Sequence, residues 1–209
     1  MAAAETAPLL MYKALLFDLG RVLIHFDFRR GYQRMEPFCR YSAAEIPKRL
    51  AATSLPEDFE TGRIEPHDFA ARMAQALGFS MQYDEFCAIW NCIFTEPLLP
   101  DSLLEDLASR YRLVLMSNTN AIHFPMVEAT YPILRHFHAR ALSYEVKAMK
   151  PNRAIYERAV ALAGCAPGEC FYTDDIAEYV WAARELGIDA EQFRGADQLL
   201  ADLRSRGIL

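Results

Sequence analysis

The sequence has no run of basic residues and no apolar run near the ~18–20 residues that a membrane-spanning helix needs. The 209-residue chain carries 22 lysines and arginines against 28 aspartates and glutamates, a formal net charge of −6. An acidic chain without a basic run is a poor candidate for binding nucleic acid. We therefore expect neither a nucleic-acid nor a membrane partner.

Cys-x-x-Cys pairs and an even cysteine count are also lacking, which argues against a metal-binding thiol pair or a disulfide framework. The pattern predicts reduced thiols and a cytoplasmic protein. Residues 1–8 lack the positive charge and long apolar stretch of a signal peptide, and Met11 is a possible alternative start. The cysteines are Cys39, Cys87, Cys92, Cys165 and Cys170.

Three apolar runs, each followed by polar residues, dominate what the chain does have. Residues 14–17 read as a fully buried strand of a parallel sheet, and so do residues 112–116 and 170–172. Since ligands bind at the carboxyl ends of parallel strands, we expect the polar residues after these runs to share one crevice. Those residues are Asp18, Ser117, Asn118, Asp174 and Asp175.

Between the first two runs the pattern is helical. Residues 22–28 alternate as in a short hairpin or flap, and several amphipathic helices follow up to about residue 96. From residue 103 onward, strands and helices alternate as in a doubly wound parallel sheet. The 53% hydrophobic content suffices for an α/β core over 11–28 and 97–209 with an inserted helical cap over 29–96.

Four short motifs in this order resemble those of the haloacid dehalogenase-like superfamily. They are Asp18-Leu19-Gly20-Arg21-Val22-Leu23, Ser117-Asn118, Lys150-Pro151 and Asp174-Asp175. The resemblance covers nearly the whole chain from Tyr12. The first motif is similar to a sugar-phosphate phosphatase subgroup, above all the α-glucose-1-phosphate phosphatase type, and the last resembles the phosphatase domain of epoxide hydrolases.

The resemblance implies a Mg²⁺-dependent phosphatase in which Asp18 attacks phosphorus and forms an aspartyl-phosphate. Asp18, Asp175 and the carbonyl of Gly20 are the expected Mg²⁺ ligands. Asp174 is expected to support the site, with direct ligation as the alternative. Lys150 would stabilise charge on the transferring oxygens, whereas Lys147 is expected at the surface.

The phosphoryl group is expected to accept hydrogen bonds from Ser117 and Asn118 and from the N–H groups of Leu19 and Gly20. Taken alone, a Ser-Asn-Thr sequence is equally typical of a turn or a helix cap. The assignment of these substrate-binding residues therefore depends on the resemblance.

Gly20 departs from the family pattern, in which an aspartate at this position serves as general acid and base. Loss of such an acid typically costs ~10²–10⁴-fold for a poor leaving group. A sugar's anomeric oxygen leaves more readily, so a sugar 1-phosphate such as glucose 1-phosphate is the preferred substrate class. His25 and Asp27 in the flap are candidate substitutes for the acid.

Two alternatives to a phosphatase stay open. A hydrolytic haloacid dehalogenase needs no metal, but clustered carboxylates at 174–175 would repel one another there. A binding module that keeps the fold with little turnover is the other, suggested by Gly20. The metabolite and the oligomeric state are not specified by the sequence; Arg30, Tyr32, Glu60 and Trp90 are polar or aromatic cap residues in plausible places.

Overall fold

A five-stranded parallel sheet forms the centre of the structure, a computed structural model that describes residues 12–209. The strand order is β5-β4-β1-β6-β7, so the first strand is central and has later strands on both sides. Residues 1–8 and Met11 lie outside the described residues. The strands are β1 (Ala14–Phe17), β4 (Arg112–Ser117), β5 (Ala139–Leu142), β6 (Cys170–Asp174) and β7 (Asp189–Gln192).

Both faces of the sheet are covered, as the uninterrupted apolar strands require. Leu15 and Phe17 of β1 belong to the hydrophobic cluster on one face, and Ala14 and Leu16 belong to the cluster on the other. All four side chains are fully buried. Helices cover the two faces, so the doubly wound α/β fold predicted from the sequence is confirmed.

The helices of the core follow the strands in the alternating order that the sequence predicts. Asn152 caps α9 by accepting the N–H of Ala154, and Gly164 ends that helix in the left-handed conformation, at φ 70°. These core helices are α6 (Asp101–Arg110), α7 (His123–Thr130), α8 (Ser143–Val146), α9 (Arg153–Ala163), α10 (Ala177–Glu185) and α11 (Ala196–Ser205).

The cap helices have a hydrophobic cluster of their own, built around Phe59, Phe69, Phe86 and Trp90. Ile122, from the loop after β4, also packs into this cluster and ties it to the core. The helical cap of the predicted fold is therefore present, although its limits at residues 29 and 96 stay a prediction. The cap helices are α1 (Phe28–Met35), α2 (Ile46–Ala51), α3 (Leu55–Glu60), α4 (Pro66–Leu77) and α5 (Tyr83–Asn91).

A two-stranded antiparallel ribbon connects the core to the cap. It pairs β2 (Ile24–Phe26) with β3 (Phe94–Pro97), so the chain enters and leaves the cap side by side. The expected flap at residues 22–28 thus forms its pair with a distant segment. β3 cannot be predicted from its local sequence, because only this long-range pairing makes it a strand.

Within residues 12–209, no helix combines the length and apolar character required to cross a bilayer. All five cysteines are free thiols.

Candidate active site

Asp18 follows β1 directly, at the carboxyl end of the central strand. Its backbone N–H donates to the carbonyl oxygen of Thr173 at 3.1 Å, which extends the pairing of β1 with β6 by one residue. The neighbouring strands end on either side of it at Ser117 and Asp174. The convergence of polar strand ends that the sequence predicts is therefore formed.

The ammonium group of Lys150 lies between two carboxylates. Its Nζ is 2.6 Å from Asp18 Oδ1 and 2.6 Å from Asp174 Oδ2. It also donates to the carbonyl oxygen of Met116 at 3.2 Å and contacts the hydroxyl of Tyr172 at 3.3 Å. The side chain is 1% exposed, and buried charges persist in proteins when they are paired and hydrogen-bonded in this way.

The two adjacent aspartates after β6 have different surroundings. Asp174 is fully buried and both its oxygens are engaged: Oδ2 by Lys150 and the Tyr172 hydroxyl, and Oδ1 by the N–H of Ile176 at 2.9 Å. Asp175 is half-buried, and among residues 12–209 no side chain donates to its carboxylate. These contacts favour a supporting role for Asp174 and leave Asp175 open to a ligand.

Burial controls the protonation of the cluster. It raises the pKa of Asp18 to about 7 against the opposing effect of Lys150, and the charge of Asp174 adds to the rise. Burial lowers the pKa of Lys150, but Asp18 and Asp174 outweigh it and the net pKa is raised, so the ammonium form persists. Burial and then Asp174 also raise the pKa of Asp175. The single positive charge of Lys150 therefore does not balance the negative charges of the three carboxylates.

A divalent cation would balance this excess of negative charge. Asp18, Asp174 and Asp175 each offer one oxygen, and these atoms lie within 4.8 Å of one another. Three carboxylates and the single ammonium of Lys150 leave two negative charges, and carboxylate oxygens are the ligands that Mg²⁺ prefers. Asp18, Asp175 and the carbonyl of Gly20 would hold such an ion.

The pair Ser117-Asn118 after β4 lies beside the cluster, and Asn118 makes hydrogen bonds to the backbone of Lys150. Its Oδ1 accepts the backbone N–H of Lys150 at 2.7 Å, and its Nδ2 donates to the Lys150 carbonyl at 3.1 Å. Ser117 Oγ is buried and makes only a long hydrogen bond, 3.4 Å, to the carbonyl of Asn118. Asn118 thus fixes Lys150, a function that the sequence analysis did not assign to it.

Two cavities that share lining residues lie beside the strand ends. The inner cavity, about 50 Å³, is lined by residues of the strand ends and by Glu60. The cap cavity, about 340 Å³, falls in the usual range for small-ligand pockets and shares Phe28, Glu60 and His123 with the inner one. Lining residues of the inner cavity include Leu19, Gly20, Ser117, Asn118, Glu60 and His123.

Three of the four cap residues singled out from the sequence line the cap cavity: Tyr32, Glu60 and Trp90. Arg30 instead donates to the carbonyl oxygen of Cys92 at 3.1 Å. A larger cavity, about 510 Å³, lies beside α9, and none of the polar residues at the strand ends lines it. Size alone would therefore have misplaced the site.

The space next to Gly20 is closed by the ring of Phe26. A Cβ placed at Gly20 would overlap the Cε1 and Cδ1 atoms of that ring. Glycine at position 20 is thus a packing requirement of the β2 segment. An acidic side chain is missing there, and no room is left for one.

The two flap residues suggested as substitutes for the missing acid, His25 and Asp27, are both engaged in other contacts. Asp27 caps α1 and pairs with Arg29, whose hydrogen bonds lower the pKa of the Asp27 carboxyl and keep it ionised. His25 contacts Thr95 Oγ1 through Nδ1 at 2.8 Å and is not among the residues that line the inner cavity. These contacts do not favour His25 or Asp27 as the substitute for the acid, and that suggestion stays untested.

Tyr172 is the residue of the site that the sequence analysis missed. Its hydroxyl donates to Asp174 Oδ2 and contacts Lys150 Nζ. A signal was available, because residues two apart on a strand point to the same face. Tyr172 precedes Asp174 by two positions and so reaches the same carboxylate.

Comparison with known proteins adds to this geometry. No family model matches the sequence. The D-ribitol-5-phosphate phosphatase of Bacteroides thetaiotaomicron is 24% identical over 198 residues, covering 90% of this chain and 95% of that protein. A HAD family enzyme from the same species, solved as a magnesium complex, is 28% identical with a TM-score of 0.81, covering 93% of this chain and 99% of that one.

The same enzyme solved with magnesium and inorganic phosphate is 28% identical, with a TM-score of 0.76 over 88% of this chain and 96% of that one. An L-2-haloacid dehalogenase from Xanthobacter autotrophicus, at 19% identity and a TM-score of 0.62 over 95% of this chain and 85% of that one, shares the fold alone. Fold, motif order and these likenesses agree, and they support the assignment of the chain to the haloacid dehalogenase-like hydrolase superfamily and to its phosphoric monoester hydrolases.

Proposed function

We propose that this protein is a Mg²⁺-dependent phosphatase of a small phosphorylated metabolite, acting through an aspartyl-phosphate on Asp18. One observation carries the proposal: Lys150 joins Asp18 to Asp174 at 2.6 Å each, next to Asp175. The residues that follow β1 and end β4, Leu19, Gly20 and Ser117, line the inner cavity. A lone ammonium among three carboxylates suits a site that takes up both a divalent cation and a phosphoryl group.

The residues of the chain divide the work by position. Lys150 holds one oxygen of Asp18, and the carboxylate attacks phosphorus while the bond to the leaving oxygen breaks. Ser117 Oγ and the backbone N–H groups of Leu19 and Gly20 are the donors proposed for the phosphoryl oxygens. Water then cleaves the bond between phosphorus and Asp18, which releases phosphate and restores the carboxylate.

Magnesium, when bound, screens the repulsion between the Asp18 carboxylate and the phosphate and polarises a phosphoryl oxygen. Asp18 and Asp175 are the carboxylates proposed to hold it, with the carbonyl of Gly20; Asp174 supports Lys150 instead. The five free thiols go with a reducing, cytoplasmic location, which is part of the same proposal.

The substrate class is proposed to be a sugar phosphate or a sugar-alcohol phosphate. The cap cavity of about 340 Å³ has room for the part of such a molecule beyond the phosphate. Glucose 1-phosphate follows from the leaving-group argument at Gly20, while the curated relative acts on D-ribitol 5-phosphate. The two differ in leaving group, an anomeric oxygen against a primary alcohol, so they can be told apart.

The experiment is a phosphate-release assay on glucose 1-phosphate, glucose 6-phosphate and ribitol 5-phosphate. Each substrate is tested with Mg²⁺, with chelator and with the Asp18→Asn variant. Release that needs Mg²⁺ and vanishes in Asp18→Asn supports the phosphatase. Preference for glucose 1-phosphate supports the leaving-group argument. Preference for glucose 6-phosphate or ribitol 5-phosphate contradicts that argument and identifies the substrate class instead.

Two results would overturn the proposal. Phosphate release that persists in chelator-treated protein would show that the reaction does not need Mg²⁺. Absence of release from every phosphate ester, with a folded protein, would favour the binding module, and halide release from 2-chloropropionate without metal would favour the dehalogenase.

A further inference from the structure

The proposed reaction needs a proton donor for the leaving oxygen, and position 20 cannot supply one. Phe26 fills the space beside Gly20, Asp27 is held ionised by Arg29, and His25 faces Thr95. An ester of an ordinary alcohol leaves slowly without a positioned acid. For the ester of an ordinary alcohol, in contrast to an anomeric phosphate, we therefore look for the donor on the cap side of the inner cavity.

We propose that Glu60, at the end of α3 in the cap, is the general acid for the leaving group and the general base for the water that follows. This inference rests on the proposed phosphatase function. Under this proposal the cap supplies a catalytic residue, so it takes part in the chemistry as well as in the choice of substrate.

Glu60 lies where the spaces around the site meet. It lines the inner cavity together with Gly20 and Ser117, and it lines the cap cavity together with Phe28 and Trp90. It also lines an outer groove of about 440 Å³ that reaches the Lys150 loop. A phosphate ester with its phosphoryl group at the strand ends and its alcohol part in the cap cavity has its leaving oxygen at the boundary where Glu60 stands.

Contacts with the core hold the end of α3 over the site. The carbonyl oxygen of Gly62, two residues after Glu60, accepts a hydrogen bond from Lys147 Nζ at 2.8 Å. Gly62 has φ 62°, and a Cβ there would collide with the carbonyl oxygen of Tyr144, so the two segments touch closely. Glu60 belongs to the cap by sequence but is fixed in place by α8 and the loop after it.

His123, the other titratable group shared by both cavities, does not compete for this role. Burial lowers the pKa of its imidazole to about 3, so the ring is neutral. Its Nδ1 lies 2.9 Å from Asn91 Oδ1, an acceptor, so the single ring proton sits on Nδ1. Its Nε2 has no proton to give.

The surroundings of Glu60 suit a group that alternates between acid and base. Burial alone raises the pKa of its carboxyl to about 7. The charged and titratable groups facing it are Tyr179 from α10, Lys147 and Lys150 from the loop after α8, and Glu57 and Arg63 from its own segment. The lysines are engaged elsewhere, Lys147 by Gly62 and Lys150 by the carboxylate cluster.

The proton balance closes over the two steps. In the first, protonated Glu60 gives its proton to the leaving oxygen as the bond from that oxygen to phosphorus breaks and Asp18 is phosphorylated. In the second, the Glu60 carboxylate takes a proton from water as the water oxygen bonds to phosphorus. The bond to Asp18 then breaks, which yields phosphate, the Asp18 carboxylate and protonated Glu60.

The test compares Glu60→Gln with Glu57→Gln, a matched change on the same helix, using ribitol 5-phosphate, glucose 6-phosphate and p-nitrophenyl phosphate. In Glu60→Gln we expect kcat/KM for the two alcohol esters to fall by about 10²–10⁴-fold. For p-nitrophenyl phosphate, whose leaving group needs no proton, kcat/KM should match that of Glu57→Gln. Loss of the base should slow the second step, so nitrophenol should appear in a burst of one equivalent.

Other outcomes overturn the inference. An equal fall for all three esters means that Glu60 acts by position or folding, and thermal melting of both variants together with partial rescue by Glu60→Asp decides whether the fold is intact. If Glu60→Gln behaves as Glu57→Gln while wild-type protein turns over, Glu60 is not the acid and the phosphatase stands. If wild-type protein releases no phosphate at all, it is the proposed function that fails.

Discussion

The two sides of the site are built in opposite ways. On the core side, Asp18, Lys150, Tyr172 and Asp174 form a closed set in which each charged or polar group has a partner. Among residues 12–209, three buried side-chain atoms have no partner: Trp90 Nε1 and His123 Nε2, whose residues line the cap cavity, and Thr173 Oγ1 on the core side. Each such atom costs about 1–3 kcal/mol when unsatisfied. The charged groups of the core are thus paired with one another, while two of the three unpaired buried atoms belong to residues that line the cap cavity.

The largest effect should come from removing the centre of the core side. Lys150→Met leaves two buried carboxylates without their cation, which should lower the free energy of unfolding by about 3–5 kcal/mol and abolish phosphate release. Urea denaturation at neutral pH measures the first and the phosphate assay the second.

The double variant Lys150→Met with Asp18→Asn sharpens this prediction. Because it removes one of the two stranded charges, it should recover part of the lost stability and none of the activity. A double variant no more stable than Lys150→Met would show that the loss comes from packing of the lysine stem rather than from charge.

A smaller loss is expected where the core meets the flap. Gly20→Ala forces a methyl group against the Phe26 ring and should cost about 1–3 kcal/mol in unfolding free energy. Gly168→Ala is the matched control, because a Cβ there meets only the Gly187 carbonyl at 3.8 Å. Equal denaturation midpoints for the two variants would mean that Phe26 moves aside freely and that position 20 is open to a side chain.

The core side is also the side that the sequence predicts well. Buried strands must be apolar, and the chain must turn polar where they end, so Asp18, Ser117 and Asp174 mark the strand ends in the sequence itself. The motifs that mark the family lie on these strand ends and on the lysine loop. Residues of this kind are fixed by local pattern and strand order.

The cap side depends on pairings that no local pattern encodes. β3 is a strand because Phe94 lies opposite Phe26, far away in the chain. The same ribbon places Phe26 against Gly20, and Lys147 reaches Gly62 across 85 positions. His25 and Asp27 are near Asp18 in sequence, yet the acidic residue that lines the inner cavity is Glu60, from the cap. Where an inserted segment folds back onto the core, closeness in sequence does not predict closeness to the site.

The protonation of Asp18 should make stability depend on pH in metal-free protein. With its pKa raised from 3.8 to about 7, the folded state keeps a proton that the unfolded state has lost, so stability falls as pH rises through 7. Between pH 6 and 8 the loss from this group is about 1 kcal/mol. Urea denaturation at both pH values measures it, and Asp18→Asn should reduce the slope.

Magnesium should reverse that trend, because it binds the ionised carboxylates of the folded state and stabilises it by mass action. The rise in melting temperature on adding Mg²⁺ is therefore expected to be larger at pH 8 than at pH 6. A rise of equal size in wild-type protein and Asp18→Asn would place the ion away from the carboxylate cluster.

The smallest effect is expected at the contact that joins the two sides. Lys147 is exposed, so Lys147→Ala should change the free energy of unfolding by less than about 1 kcal/mol. It removes the donor to Gly62, so the end of α3 should be held less firmly, and kcat/KM for alcohol esters should fall by no more than about fivefold. Lys48→Ala, an exposed lysine of α2, is the control. If Lys147→Ala matched Lys48→Ala in every ester, the link would be dispensable, and packing of α3 against α8 would have to position Glu60 unaided.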